Sequence, residues 1–285
     1  MPSSFGSKLE RAFSSYGQLC VGIDPHASLI ADWGLPDTVA GLRDFSMTVL
    51  DAAAGRVGII KPQVSFFERH GSAGLALLEE LGQRARDTDL VVIMDAKRGD
   101  IGTTMDAYYD AWLARQAPFY SDALTVSPYL GFDSLAPIMS RCLEDGKGLF
   151  VLSATSNPEG AALQKATIGG ETLAAQIWRK LGENNSVTSG PGEKFGSFGA
   201  VLGATLNLSS FGLQSLLQDE TTATPILAPG FGAQGALLSD SKQLFGASSA
   251  AVIHSVSRSV LQAGPQGIAK TIELATNELA SGLAN

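Results

Sequence analysis

The sequence predicts an α/β fold of the (β/α)8 TIM-barrel class, and three observations carry that expectation. Eight short apolar runs recur along the 285 residues. They are β-rich and almost continuous in hydrophobicity, as strands covered on both faces should be. Gly, Pro or polar residues follow each run, and amphipathic helical stretches lie between them. The length suits one large barrel, read as a single domain over 1–285.

The runs come in order as LCVGID (19–24), VGIIK (57–61), LVVIMDAK (90–97) and ALTV (123–126). LFVLSA (149–154), GAVLGAT (199–205), PILAPG (225–230) and AAVIHS (250–255) complete the set. Helical patterns cover 37–55, 72–87, 103–116, 170–182 and 265–282, the last forming a C-terminal helix. The stretch 182–198, GENNSVTSGPGEKFGSF, is polar and Gly-rich and reads as a surface loop inserted in the domain. A doubly wound open sheet is the alternative. No G-x-G-x-x-G follows the first run, which weakens its dinucleotide-binding form.

Composition narrows the function classes. Hydrophobic residues make up 45% and charged residues 17%, so a large core is available and disorder is not expected. A net charge of -8 argues against non-specific nucleic-acid binding, though a local pocket can still hold a small anion. Cys20 and Cys142 stand far apart, and His26, His70 and His254 lack ligand spacing, so neither a disulfide framework nor a zinc site is expected. The N-terminal stretch has no signal-peptide pattern and no run approaches the ~20 apolar residues of a membrane span. A cytoplasmic enzyme with no membrane partner is the expectation.

Barrel enzymes place their active sites at the C-terminal ends of strands. Polar residues cluster at those ends here. Asp24 closes the first run and Lys61 the second. Asp95 and Lys97 close the third, in VVIMDAKRGDIGTT, and Asp100 follows after a short Gly-containing turn. Alternation along a strand points Asp95 and Lys97 the same way. Carboxylates around an ammonium are costly to bury for stability alone, and they suit a lysine that must stay charged to give up a proton. At the far side, LAPGFGAQG (227–235), with Pro229 and Gln234, offers glycines that let backbone amides approach an anion. Ser257 and Arg258 in VSRSV precede a predicted helix start, and an Arg fork there completes a phosphate cradle.

These motifs resemble the orotidine 5'-phosphate decarboxylase family, in particular its longer bacterial branch. Asp95, Lys97 and Asp100 match its D-x-K-x-x-D pattern. VGIDPH, KPQVSFFE, SPYLG, TSNP, LAPGFGAQG and VSRS follow in the family's order, so the likeness runs from about residue 18 to about 260. The resemblance implies a (β/α)8 barrel working as a homodimer with shared active sites, without metal or organic cofactor. It implies decarboxylation of orotidine 5'-phosphate (OMP) to uridine 5'-phosphate (UMP) in pyrimidine biosynthesis. Asp95 would sit against the substrate carboxylate, Lys97 would protonate C6, and Lys61 would share their charge network. Asp100 and Thr104 would reach the partner's site. Asp24 would bind a ribose hydroxyl, Ser156 the pyrimidine, Gln234 the phosphate and ring, and Pro229, Ser257 and Arg258 the phosphate end. GATLN (203–207) departs from the family's GAT-x-P pattern by lacking the proline.

Three rivals stay open at this point. Related barrel decarboxylases and aldolases carry a similar D-x-K-x-x-D but use magnesium. A Schiff-base aldolase needs a neutral lysine, which flanking carboxylates oppose. A phosphate-binding barrel without activity would keep the cradle alone. The lid is expected in either 182–198 or 229–238.

Overall fold

In the computed structural model, which describes residues 2–214, 217 and 223–284, eight parallel strands close into a barrel. They are β1 (Leu19–Ile23), β2 (Ile59–Pro62), β3 (Val91–Arg98), β4 (Ala123–Val126) and β5 (Gly148–Ala154), then β8 (Phe198–Leu202), β9 (Ile226–Pro229) and β10 (Val252–Val256). Each pairs with the next, and β1 pairs with both β2 and β10. Closure excludes the open-sheet alternative. A two-stranded antiparallel hairpin, β6 (Thr167–Ile168) and β7 (Glu171–Thr172), interrupts the rhythm after β5.

All eight sequence runs become barrel strands because each offers apolar side chains to two environments. Outward residues such as Leu19, Val21, Ile60, Val92, Leu124 and Val151 pack under the helical shell. Inward residues Cys20, Ile59, Ile93, Ala123, Phe150, Val201, Leu227 and Ile253 fill the barrel floor. The surrounding helices are α2 (Ala27–Asp32), α3 (Val39–Ala53), α4 (Ser65–Glu68), α5 (Gly71–Arg86), α6 (Gly102–Trp112), α7 (Ala136–Asp145), α8 (Gly160–Gln164) and α9 (Leu173–Thr188), with two short helices and a long one after them. The C-terminal helix spans Gly264–Ala284 and packs against α3 and β1. None of the described helices is long and apolar enough to cross a membrane.

The sequence reading missed the helix that plugs the barrel. α1 (Phe5–Tyr16) is capped by Ser4, whose hydroxyl accepts the Ser7 N–H at 3.1 Å. Its Phe5 and Leu9 are fully buried and meet the inward strand residues. Phe5 packs edge-on against Phe150 with centroids 5.9 Å apart. Gly148 makes room, since a Cβ there would lie 2.5 Å from the Phe5 ring. Each such side chain contributes about 1.5–3 kcal/mol by leaving water. The plug closes the N-terminal end, so only the C-terminal end is left open for chemistry.

The expected loop over 182–198 needs correcting. α9 continues as helix to Thr188, so irregular chain begins only at Ser189. The reason is Asn185, a polar residue that the fold buries completely. Its amide donates to the Phe198 carbonyl at 2.7 Å and accepts the Phe198 N–H at 3.1 Å. A helix turn that looks solvated in the sequence is thus bolted to the start of β8.

Candidate active site

Above the apolar floor the inward face of the strands turns polar. Asp95 stands at the centre of that layer. Lys61 Nζ lies 3.1 Å from Asp95 Oδ2, and Lys97 Nζ lies 2.6 Å from Asp95 Oδ1. The Thr125 hydroxyl donates to Asp95 Oδ1 at 3.0 Å. With its amide turned to satisfy both atoms, Gln63 donates to the Asp95 carbonyl at 2.8 Å and to Oδ2 at 3.0 Å. Every contact orients one carboxylate between two ammonium groups.

Exposure divides the two lysines. The Lys61 side chain is 7% exposed, Asp95 13% and Lys97 46%. Lys61 is therefore an internal charge, while Lys97 faces the open end. Its backbone takes φ 48°, the only left-handed non-glycine residue described. That conformation is costly for an L side chain and clusters at functional sites. The β3–β4 register shifts between Met94 and Arg98, and the Lys97 N–H is caught by Thr125 Oγ1 at 2.9 Å. The bulge re-aims the side chain that regular pairing would have held in the ladder.

Burial alone would push the Lys61 ammonium down, but the Asp95 and Asp24 carboxylates outweigh it and hold it well above its usual 10.5. Burial alone would raise Asp95, but Lys61 and Lys97 hold its carboxyl well below its usual 3.8. The stability that Asp95 contributes is present above pH 3.8 and is lost as the pH falls through its folded value. That of Lys61 is present below pH 10.5 and is lost as the pH rises through its folded value. Both groups should stay charged throughout the interval. The carboxylate ¹³C resonance of Asp95 is expected to be flat from about pH 5 to about pH 10. A titration step inside that range would contradict the ion-pair account.

A cavity of about 230 Å³ opens beside this network, lined among others by Asp24, Lys61, Asp95, Pro229, Gln234 and Arg258. Asp24 sits at the end of β1, and its buried Oδ1 has no hydrogen-bond partner among the described residues. Such an acceptor is costly unless a ligand hydroxyl meets it. Ser257 presses against β1, since a Cβ on Gly22 would lie 2.0 Å from its hydroxyl. Arg258 follows as an exposed residue and starts the short helix α11 (Arg258–Leu261).

Residues 230–236 form a compact loop above β9. Gly230, Gly232 and Gly235 all take positive φ, which only glycine adopts freely. The Gly232 N–H bonds the Ala236 carbonyl at 2.8 Å and closes the turn. At its tip, Gln234 Oε1 lies 3.4 Å from the Ser156 hydroxyl, which links the loop to the strand end after β5. The GATLN segment closes without the absent proline: Leu206 N–H reaches Gly203 O at 3.2 Å, and Asn207 Oδ1 accepts the Ser209 N–H at 3.2 Å. Ala204 N–H also holds the Pro229 carbonyl at 2.9 Å.

The structure thus gathers Asp24, Lys61, Asp95, Lys97, Ser156, Pro229, Gln234, Ser257 and Arg258 around one opening. Asp100 and Thr104 stand apart. The Asp100 carboxylate accepts its own neighbour's N–H at Ile101, 2.8 Å away, and forms no ion pair with Lys97 among the described residues. Thr104 is exposed in the first turn of α6. Thr125 and Gln63 were missed by the sequence reading, although alternation from Lys61 along β2, and from the inward Ala123 along β4, leads to them. No group of three or more His, Cys, Asp and Glu side chains with metal-binding geometry forms among the described residues.

Comparison with known proteins shows what the whole chain is similar to. Residues 17–272 match the family described as the orotidine 5'-phosphate decarboxylase / HUMPS family. The chain is 52% identical over 263 residues to orotidine 5'-phosphate decarboxylase of Streptomyces coelicolor, covering 92% of this chain and 91% of that one. It is 46% identical over 278 residues to the Nocardioides enzyme of the same name, covering 96% and 97%. A crystal structure from Streptomyces avermitilis, assigned to the same activity, superposes with TM-score 0.92 at 48% identity, covering 100% of this chain and 97% of that one. Leishmania donovani OMP decarboxylase superposes with TM-score 0.76 at 29% identity, covering 99% and 100%.

Proposed function

The chain belongs to the orotidine 5'-phosphate decarboxylase family and decarboxylates OMP to UMP in pyrimidine biosynthesis, and we propose that Lys97 supplies the proton to C6. The observation that supports this role is the Lys61–Asp95–Lys97 chain at the open end of the barrel. One ammonium is buried as a permanent counter-charge, and the other is half-exposed on the far oxygen of the Asp95 carboxylate, which itself lines the cavity.

The reaction breaks the bond between C6 and the carboxylate. Carbon dioxide leaves, and the electron pair stays on C6. The Lys97 ammonium, preorganised by Asp95 and by its left-handed backbone, stabilises that charge as it forms and then transfers a proton to C6. The neutral amine left behind is half-exposed and recovers its proton from water. Asp95 fixes Lys97 and faces the substrate carboxylate. Lys61 and Thr125 keep Asp95 ionised and in place.

The remaining residues bind. The unpartnered Asp24 Oδ1 accepts a ribose hydroxyl, and Ser156 bonds the pyrimidine edge. Gln234 bridges ring and phosphate, while Arg258, Ser257 and the loop from Pro229 hold the phosphate. Phosphate binding lies remote from the reacting bond, so its energy serves to position the ring. Of the two lid candidates, 229–238 is favoured, because Gln234 lines the cavity. Arg258→Ala is expected to raise KM for OMP about 10- to 100-fold, the loss of a charge-assisted fork. An unchanged KM would remove Arg258 from the phosphate site.

We also infer that two copies of the chain act together in the cytoplasm. Support for the pairing is the position of Asp100 and Thr104 at the rim, outside their own chain's network. In a dimer, Asp100 of one copy would complete the other's charge network and Thr104 would contact its substrate. Inactive Lys97→Ala and Asp100→Ala proteins, mixed under subunit exchange, should then regain up to about a quarter of wild-type activity as hybrid sites form. No recovery between freely exchanging copies would place Asp100 in its own subunit's site. Support for the compartment is the pair of free, buried thiols, Cys20 and Cys142.

A further inference from the structure

His254 takes no part in the chemistry above, yet it lies directly behind the loop that holds Gln234. Its neighbours on β10 alternate with it: Ile253 joins the barrel floor and Ser255 lines the cavity. The imidazole therefore points outward, into the layer between strand and helices, where it is fully buried. A polar ring in that layer costs more than leucine would unless its hydrogen bond does something.

The ring has two neighbours that matter. His254 Nε2 lies 2.6 Å from the hydroxyl of Ser241, which is itself buried and is the first residue of α10 (Ser241–Phe245). On its other side, the Phe231 ring lies 5.0 Å away, centroid to centroid, at 48°. Phe231 follows Gly230 at the entrance of the loop, and Ser241 starts α10 just past the exit, after the short 3-10 turn Leu238–Asp240. One side chain thus touches both ends of the excursion that carries Gln234. The tip between them is exposed, and Gln234 has only the long 3.4 Å contact to Ser156. Backbone bonds within the turn give the tip its shape, and the hold on its ends sets where the whole turn sits. Burial lowers the His254 pKa to about 4, so at neutral pH the ring is an uncharged hydrogen-bonding post.

We propose that His254 is a positioning residue for the phosphate loop, clamping Phe231 and Ser241 so that Gln234 meets the nucleotide. The inference rests on the reading of this loop and Arg258 as the phosphate site. His254 touches no substrate in this account and acts only through the two loop ends.

The test compares UMP with uridine, which lacks the phosphate, as competitors of OMP turnover by the full-length enzyme. Ser241→Ala and His254→Leu each remove the hydrogen bond, and Ser241→Ala is the milder change should His254→Leu fail to fold. Both are expected to weaken UMP about three- to ten-fold, the worth of one net hydrogen bond, to weaken uridine less because only the ring contact of Gln234 is shared, and to leave the kcat at saturating OMP within about twofold. His254→Gln, whose amide reaches the place of Nε2, should recover part of the UMP affinity. Unchanged UMP affinity in Ser241→Ala, or equal weakening of UMP and uridine, overturns the proposal. Arg258→Ala separates the two layers of the argument. If it selectively weakens UMP while Ser241→Ala does not, the clamp fails and the phosphate site stands. If it too leaves UMP untouched, the phosphate site falls and the clamp with it.

Discussion

Lys97→Ala should lower kcat for OMP by at least roughly 10⁴-fold, combining about 10²–10⁴ for a positioned acid with about 10²–10³ for a preorganised charge. The same variant should bind UMP within about threefold of wild type, because the proposed phosphate contacts lie elsewhere. Lys97→Arg is a sharper probe. It keeps the charge beside Asp95 but offers a guanidinium that does not give up a proton near neutral pH. Its kcat should fall nearly as far as that of the alanine variant. A rate within tenfold of wild type in either protein would mean that Lys97 is not the donor. Steady-state kinetics paired with UMP titration separates the loss of chemistry from the loss of binding.

Asp95→Ala is expected to be the most damaging single change to the fold as well as to turnover. It strips the buried Lys61 ammonium of its counter-ion, leaves the Thr125 hydroxyl without its acceptor and takes one of two acceptors from Gln63. Breaking a buried pair from one side costs about 3–5 kcal/mol. For a chain of ordinary stability that is a large share of the total. Replacing both partners at once, in Lys61→Met with Asp95→Leu, removes the stranded charge along with the pair. Denaturant unfolding should then show the double variant close to wild type, although it remains inactive. The pair would be present for catalysis at little net cost in stability. A double variant as unstable as Asp95→Ala would show that the pair itself holds the barrel together.

Much of this molecule was legible in the chain because barrel strands leave a local signature. The runs 19–24 and 123–126 needed only their own apolar, β-branched character to be read as strands. The site was legible for a related reason: Asp24, Lys61 and Asp95 interrupt apolar runs, and only the C-terminal rim tolerates such interruptions. What stayed hidden depends on distant contacts. Asn185 looks like a loop residue until the amide and carbonyl of Phe198 appear beside it. The plug helix did carry a signal, with Phe5, Leu9 and Ala12 on one face behind a Ser4 cap, but a search for targeting patterns does not register it. The left-handed turn at Lys97 has no sequence mark at all, since lysine is not a residue that favours it. Its cause is the register shift against β4, which no local pattern reveals.

That turn also explains a division within the D-x-K-x-x-D segment. Asp95 still bridges to Gln63 on the β2 side and lines the cavity. Lys97 is swung out of the ladder toward the opening, and Asp100 has moved to the rim beside α6. Three charged residues close together in sequence therefore occupy three environments: mostly buried, half-exposed beside it, and peripheral. In the proposed mechanism and dimer, a single strand end would then supply a counter-charge, a proton donor and a group presented outward to a second copy.

The central claim is that side-chain charges alone carry out the decarboxylation. The most direct measurement is product formation by purified protein dialysed against a strong chelator and supplied with OMP. The account predicts UMP and carbon dioxide in equal amounts, at a rate unchanged by the dialysis or by added magnesium. Unconverted OMP, or activity that returns only with a divalent cation, would contradict it.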